Sequence, residues 1–346
     1  NSRCIRPKVT IGSSMAKVTM KIVFGLLVAC AAAEHHAGPR PALLQRSESN
    51  LLAAKEEVVE RTYTGRASVF DVFRAMEDEG VKRMGERPLK LLAKSVAAGV
   101  CVGIGGILCS GVGGDLAGGN LWEKGAGLDR FIFGAIGFPL SIALVAVTAS
   151  SAFTGNLALA GAALHAGKCS VVDALYMLLI TYGGCFLGTV WCGMLSAVCA
   201  LPGAAACVAI SAHKLELTLL QTFSRGIGGG LLISLAILLA TTAVRNHGNI
   251  ADIFVSAFIP ISAYVASDFE HVLANFFFFA AGRFSGEGAA LSLPKMAANI
   301  AASTLGNVVG AGLIGGYLLA WANGPDAWLG EKAVTAQVME AEAAKA

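Results

Sequence analysis

Apolar residues in this chain gather into long blocks after residue 88, and the polar residues that interrupt those blocks are few. The first block runs from about Leu89 to Gly114, long enough to cross a bilayer, which takes about 20 apolar residues. A polar loop over 115–130 follows, with Asp115, Glu123, Lys124, Asp129 and Arg130. The second block begins at Phe131 and passes Ala149, is interrupted by Ser150-Ser151-Ala152-Phe153-Thr154-Gly155-Asn156, and resumes from Leu157 to Leu164. A third covers about Val172 to Leu201 and stops at Pro202-Gly203; a fourth covers about Phe223 to Val244. The fifth runs from Ile250 to Ala281 and is broken by Ser267-Asp268-Phe269-Glu270-His271, and the sixth runs from about Met296 to Trp321.

The two interruptions fall at equivalent places if 89–201 and 202–322 are two three-helix halves, and they share a Ser-x-Phe pattern. Paired broken helices point to an inverted-repeat transporter or channel with its site near the midplane. The backbone groups freed at such breaks are tolerated only under protein or beside a water-filled cavity. The pattern therefore predicts an all-α integral membrane protein, with six transmembrane helices over 89–322 in two inverted three-helix halves, the second and fifth broken.

Ahead of the spans, Ser68 and Asp71 form an S-x-x-D capping signal, and Val69, Val72, Phe73 and Met76 share one helical face. This predicts an amphipathic helix within 68–86, with Gly80 as its C-cap, packed on the protein's own end or lying in the lipid interface. Residues 1–67 read as a tail containing a signal-like segment at about 20–33: Lys21, the apolar run Ile22 to Ala32, and Ala31-Ala32-Ala33 before Glu34. Residues 323–346 read as a short polar tail. Arg74, Lys82, Arg83, Arg87 and Lys90 beside the first span argue for a cytoplasmic N-terminus, and an even span count then places the C-terminus there too. A cleaved leader would argue the opposite; the basic segment beside the span sets the expected orientation in the cell membrane.

Composition agrees with the pattern. Only 14% of the 346 residues are charged and 55% are hydrophobic, against about 25% charged in soluble domains. That excludes an ordinary soluble domain, and also disorder, which needs low hydrophobicity and high net charge. A balance of 26 basic against 23 acidic residues gives no nucleic-acid footprint. Six of the nine cysteines lie inside apolar runs with no C-x-x-C pair or Cys/His spacing, so they read as small buried hydrophobes; no metal or cofactor is expected. The glycine runs at 103–106 and 226–230 suit close helix approach; no strand precedes them and no GK[ST] follows. With no nucleophile elbow or other catalytic motif, an enzyme is not expected.

The interior titratable residues carry the candidate chemistry. Asp268, Glu270 and His271 lie in the middle of an apolar run. An ionisable group there costs roughly 2.5–3.5 kcal/mol to insert, so its default reading is functional. Histidine, whose charge changes near neutral pH, suits proton handling; the plainer reading is a packed, hydrogen-bonded imidazole. Lys214, between the third and fourth spans beside His213 and Glu216, is either a solvated loop charge or an attractor of anions at a pore mouth. Asn275, Asn299 and Asn307 inside apolar segments are either interhelical hydrogen bonds or pore-lining donors.

These residues resemble those of the formate/nitrite transporter family over about 68–322. Phe153-Thr154-Gly155-Asn156 resembles the family's L-F-T-[SG] in broken helix two, and Phe269 to Asn275 its F-E-H-S-x-A-N in broken helix five. Asn299 with Thr304-Leu305-Gly306-Asn307 resembles its N-L-I-P-V-T-x-G-N, and Ser224-Arg225-Gly226-Ile227 its x-R-G-I. The resemblance implies an aquaporin-like homopentamer with one pore per protomer, a channel or a proton-coupled transporter for small monovalent weak-acid anions such as formate, nitrite, lactate or acetate. It implies His271 as the central pore histidine, Thr154 as the pore threonine, Lys214 as the anion attractor, Asn275 and Asn299 as helpers of His271, and Phe153 and Tyr264 as apolar constrictions. Glu270 joins them as a pore residue. Departures are Gly230 for Asn, Gly184 where helix three reads Y-x-G-N, Asp268 for Gly, Ser151 for Glu, and Ala301-Ala302 for Ile-Pro. Asp268 is expected to sit near His271 and favour its imidazolium. The alternative, an aquaporin-like pore for neutral small solutes, would need an N-P-A motif in each broken helix, and the sequence has neither.

Overall fold

The computed structural model describes residues 67–323 apart from 120, 124 and 247. The signal-like segment at 20–33 and the tail at 324–346 lie outside the described residues. Among the described residues every regular element is helical: α1 (Val69–Met84), α2 (Pro88–Gly113), α3 (Gly127–Val147), α4 (Phe153–His165), α5 (Val171–Val198), α6 (Ala204–Glu216), α7 (Leu219–Arg245), α8 (Ile250–Ala266), α9 (Val272–Phe284), α10 (Leu293–Asn307) and α11 (Leu319–Asn323). A π-wound stretch, Val308–Leu318, joins the last two into one rod. Five helices are long and apolar enough to cross a membrane: α2, α3, α5, α7 and the rod Leu293–Asn323; α8 and α9 are apolar but shorter.

The helices differ in how they start. Capping boxes at Ser68/Asp71, Ser170/Asp173, Thr218/Gln221 and Asn249/Asp252 open α1, α5, α7 and α8. Each satisfies two backbone donors locally. Neither α4 nor α9 has a side-chain cap. They start inside the protein, after breaks at 148–152 and 267–271. The first break is thus shorter than its sequence suggests, and Phe153 to Asn156 form the first turn of α4.

The two breaks have one construction. Ala149 (φ 50°) and Asp268 (φ 56°) both turn the chain through the left-handed region. Ser150 N donates to Val145 O at 3.0 Å and Phe269 N to Tyr264 O at 2.9 Å; Ser151 N donates to Lys94 O and Glu270 N to Arg225 O. The flanking helices pair alike. A Cβ on Gly184 or Gly306 would strike the backbone of Leu92 or Phe223, and one on Gly188 or Gly310 that of Val96 or Ile227. So α2 crosses α5 as α7 crosses α10 and the π stretch, at backbone-to-backbone range that only small residues permit. Gly230 belongs to this seam, because its Cβ would lie 2.8 Å from Asn307 O. A close approach within the chain thus requires a small residue at that departure.

Two sequence expectations change. The N-terminal helix does not stop at Gly80 but runs to Met84 with Gly85 as its cap; Gly80 instead lets α1 lie against α4, where a Cβ would be 2.7 Å from Leu159 O. Buried Val72, Phe73 and Met76 show that this helix packs on the protein's own end. Lys214, read as a loop residue, lies on α6, which starts at Gly203 (φ 96°) after Pro202.

Candidate functional site

The two helix starts meet in the interior, and the candidate residues collect around them. His271 is the N-cap of α9, yet its side chain makes no cap bond. Its Nε2 lies 3.1 Å from Thr154 Oγ1, in the first turn of α4. Tyr264 approaches the imidazole with ring centroids 5.6 Å apart. Phe153, beside Thr154, packs edge-on to Tyr182 at 4.9 Å in a second apolar cluster with Val272, Leu273 and Phe276. Tyr264 belongs to the first cluster, with Phe133, Phe138 and Phe278. His271 is buried and its Nδ1 has no hydrogen-bond partner among the described residues.

Lys214 is 7% exposed and Glu270 fully buried. Lys214 Nζ donates to Glu270 Oε1 at 2.7 Å. Asn275 Nδ2 donates to Glu270 Oε2 at 2.6 Å and to Asn299 Oδ1 at 2.9 Å, and Asn299 Nδ2 donates to Lys214 O at 3.2 Å. The four residues close a ring. The second carboxylate oxygen of this deep ion pair is held as well, by Asn275. Asn275 and Asn299 therefore support Glu270 rather than His271, and Glu270 does not line the cavity described below. Both amides make interhelical hydrogen bonds here.

Asn307 completes the break. Its Oδ1 accepts from Val272 N at 3.0 Å, while its Nδ2 donates to Gly226 O at 2.8 Å and Glu270 O at 2.9 Å. One amide thus supplies the missing cap of α9 and ties α7 to the break. At the other break Cys185 Sγ accepts from Phe153 N at 3.4 Å. Cys185, next to Gly184, thus gives this helix start a sulfur as a weak acceptor. Asn156 repeats Asn275 at a distance. Its Nδ2 donates to Ser151 Oγ at 2.9 Å and its Oδ1 accepts from Arg83 Nη1 at 2.7 Å. Ser151 so takes Glu270's place, whereas Arg83 bonds to Asn156 and to Glu79 and not to Ser151, so the pairing with Lys214 has no counterpart here.

A cavity of about 40 Å³ opens against this centre on the α6 side, lined by Lys214, Tyr264, Asp268, His271, Arg130 and Trp122 among others. A water needs roughly 10–15 Å³ of such space, so about three waters fit, or one molecule of that many heavy atoms. Asp268 borders the cavity, but its carboxylate turns from His271. It accepts from Trp122 Nε1 at 3.0 Å, pairs with His213 Nε2 at 3.0 Å, and accepts from Arg225 Nη1. The expectation that it would favour an imidazolium at His271 fails because three donors from other segments hold it. Trp122 and His213, stacked 4.2 Å apart, were not singled out from the sequence as site residues; their partners are remote in the chain.

Outside the spanning segments, Lys168 pairs with Glu77 at 2.9 Å and Asp78 at 2.8 Å, fastening α1 to the loop after α4. Burial lowers its pKa, but the bonds to the two carboxylates outweigh that and raise it above the usual lysine value.

The formate/nitrite transporter family model matches residues 70–321. The chain belongs to the formate/nitrite transporter family. It is 31% identical over 243 residues to a probable formate transporter of Methanothermobacter thermautotrophicus, covering 64% of this chain and 84% of that one. Among solved structures it is similar to an FNT family ion channel with a TM-score of 0.64 and 23% identity, over 73% of this chain and 98% of the other. It is also similar to a pentameric formate channel with formate bound, with a TM-score of 0.55 and 23% identity, over 68% and 97%. It is therefore an integral membrane protein of a transporter and channel family, and the shared architecture is theirs.

Proposed function

We propose that this family member carries small monovalent weak-acid anions across the cell membrane together with a proton. The observation that carries the reading is the His271–Thr154 pair at 3.1 Å, where the two helix starts meet beside the cavity. A bare carboxylate crossing apolar clusters would cost tens of kcal/mol, and protonating it removes most of that cost. Lys214, which lines the cavity, attracts the anion to it. As the surroundings become less polar the acid form is favoured, and Thr154 and His271 bond to it between the constrictions at Phe153 and Tyr264. The size of the cavity favours formate or nitrite over lactate.

The architecture fits this. α3 with α4, and α8 with α9, each act as one broken span, giving six spans in two halves with an aquaporin-like inverted arrangement. Both termini lie in the cytoplasm. The exposed apolar residues of α5, Leu187, Trp191 and Val198, suit lipid or a neighbouring protomer of a homopentamer.

Uptake of labelled formate, nitrite, lactate and glycerol into proteoliposomes at two external pH values tests the reading. Acid uptake is expected to rise as pH falls, and His271→Phe to lose that dependence. Unchanged transport by His271→Phe removes the histidine's role; glycerol flux that ignores pH would instead indicate a pore for neutral solutes.

A further inference from the structure

The connection between α2 and α3 reaches into the cavity, and Asp268 holds it there. Leu121 is buried, and its carbonyl accepts from Arg130 Nη1 at 3.1 Å. Trp122, next to it, lies between two anchors. Its face stacks on His213, with rings 4.2 Å apart and 21° from parallel, and its Nε1 donates to Asp268 Oδ1 at 3.0 Å. The other carboxylate oxygen of Asp268 takes His213 and Arg225. One carboxylate thus joins four segments: the α2–α3 connection, α6, α7 and the second break.

Asp268 holds this place in a backbone conformation that favours glycine, φ 56°. Ala149 takes the same conformation at the other break, so the turn belongs to the break and not to the carboxylate. What the carboxylate adds there is the hold on Trp122. The indole and Leu121 form one wall of the cavity, and Lys214 and His271 line the same cavity.

We infer that Trp122, pinned by Asp268, is a size filter over the cavity's mouth, admitting acids of about three heavy atoms and excluding bulkier ones. Trp122 and Asp268 are specificity-determining residues; neither handles the proton. A rigid aromatic wall discriminates by shape, and each added methylene changes passage through such a wall by about 10–200-fold. The inference rests on the cavity being the transport route, so its test has one arm that needs transport and one that does not.

In proteoliposomes, the ratio of lactate to formate uptake is measured in the same preparation for wild type, Trp122→Ala, Trp122→Phe and Asp268→Gly. The ratio is expected to rise on the order of tenfold in Trp122→Ala, by a similar amount in Asp268→Gly, and by less in Trp122→Phe, which keeps the stack and loses the donor. In the second arm, Ala274, which lines the cavity, is replaced by cysteine. Its modification by methyl methanethiosulfonate and by the larger N-ethylmaleimide is followed by site-resolved mass spectrometry, with and without Trp122→Ala. Removing the indole is expected to speed the larger reagent more than the smaller. If no acid is carried, the transport reading fails while the labelling arm still judges the filter. An unchanged uptake ratio in a folded Trp122→Ala, or an unchanged labelling ratio, overturns it; if that variant does not fold, Trp122→Phe and Asp268→Gly decide by the same ratios.

Discussion

Lys214 shows how far one residue's meaning depends on contacts that sequence does not display. Its neighbours His213 and Glu216 make it look like a solvated loop cation. In the structure it is nearly buried, and its charge is shared with Glu270. Removing one partner of such a pair strands the other charge in a dry interior, at about 3–5 kcal/mol, whereas replacing both is often near neutral. Lys214→Met is therefore expected to destabilise the purified protein strongly, and Lys214→Met with Glu270→Gln to recover most of the loss, read as thermal unfolding in detergent. A double variant no more stable than Lys214→Met would show that the ring through Asn275 and Asn299 matters more than the charges. His271 stands out because a titratable group inside an apolar run is a local signal, and the break that holds Thr154 is another, although only the family resemblance singles out Thr154 itself. Asp268 was legible as an intruder but not in its direction, which Trp122, His213 and Arg225 set from distant segments.

Elements followed a similar rule. The long apolar helices and both breaks could be read from hydropathy, because runs of that length have few soluble alternatives. The short helix α6 could not. Its 13 residues follow a Pro-Gly stop and end in His213, Lys214 and Glu216, a pattern shared with loops. Nor did the sequence show how α4 and α9 start without caps, since Cys185 and Asn307 lie in other helices. Their difference is testable. Asn307→Ala orphans the buried Val272 N–H, at about 1–3 kcal/mol, and takes a donor from the carbonyls of Gly226 and Glu270. Cys185→Ala removes only one long sulfur contact from the Phe153 N–H. Thermal unfolding should fall much further for Asn307→Ala, and hydrogen exchange should rise at the start of α9. Equal losses would mean that the two breaks carry equal loads despite their different acceptors.

For the whole molecule, the decisive matter is what crosses the membrane's field. The described interior has apolar clusters on either side of the His271–Thr154 pair, and its buried Lys214 is already balanced by Glu270. On the proposed reading the substrate crosses neutral, with its proton. The transmembrane potential distinguishes this from a conducting pore. Moving one elementary charge through 100 mV is worth about 2.3 kcal/mol, and each 1.36 kcal/mol is a factor of ten. An anion channel would therefore hold about 50-fold more formate inside at equilibrium when the interior is 100 mV positive. Proteoliposomes with a potential imposed by potassium and valinomycin, and with equal pH on both sides, should show no such accumulation. A one-unit pH gradient, alkaline inside, at zero potential should instead drive about tenfold accumulation, because the neutral acid equilibrates and its anion collects where protons are scarce. Accumulation that follows voltage and ignores the pH gradient would mean that the anion passes bare, and that the imidazole at the centre serves as a fixed hydrogen-bond partner and not as part of a proton path.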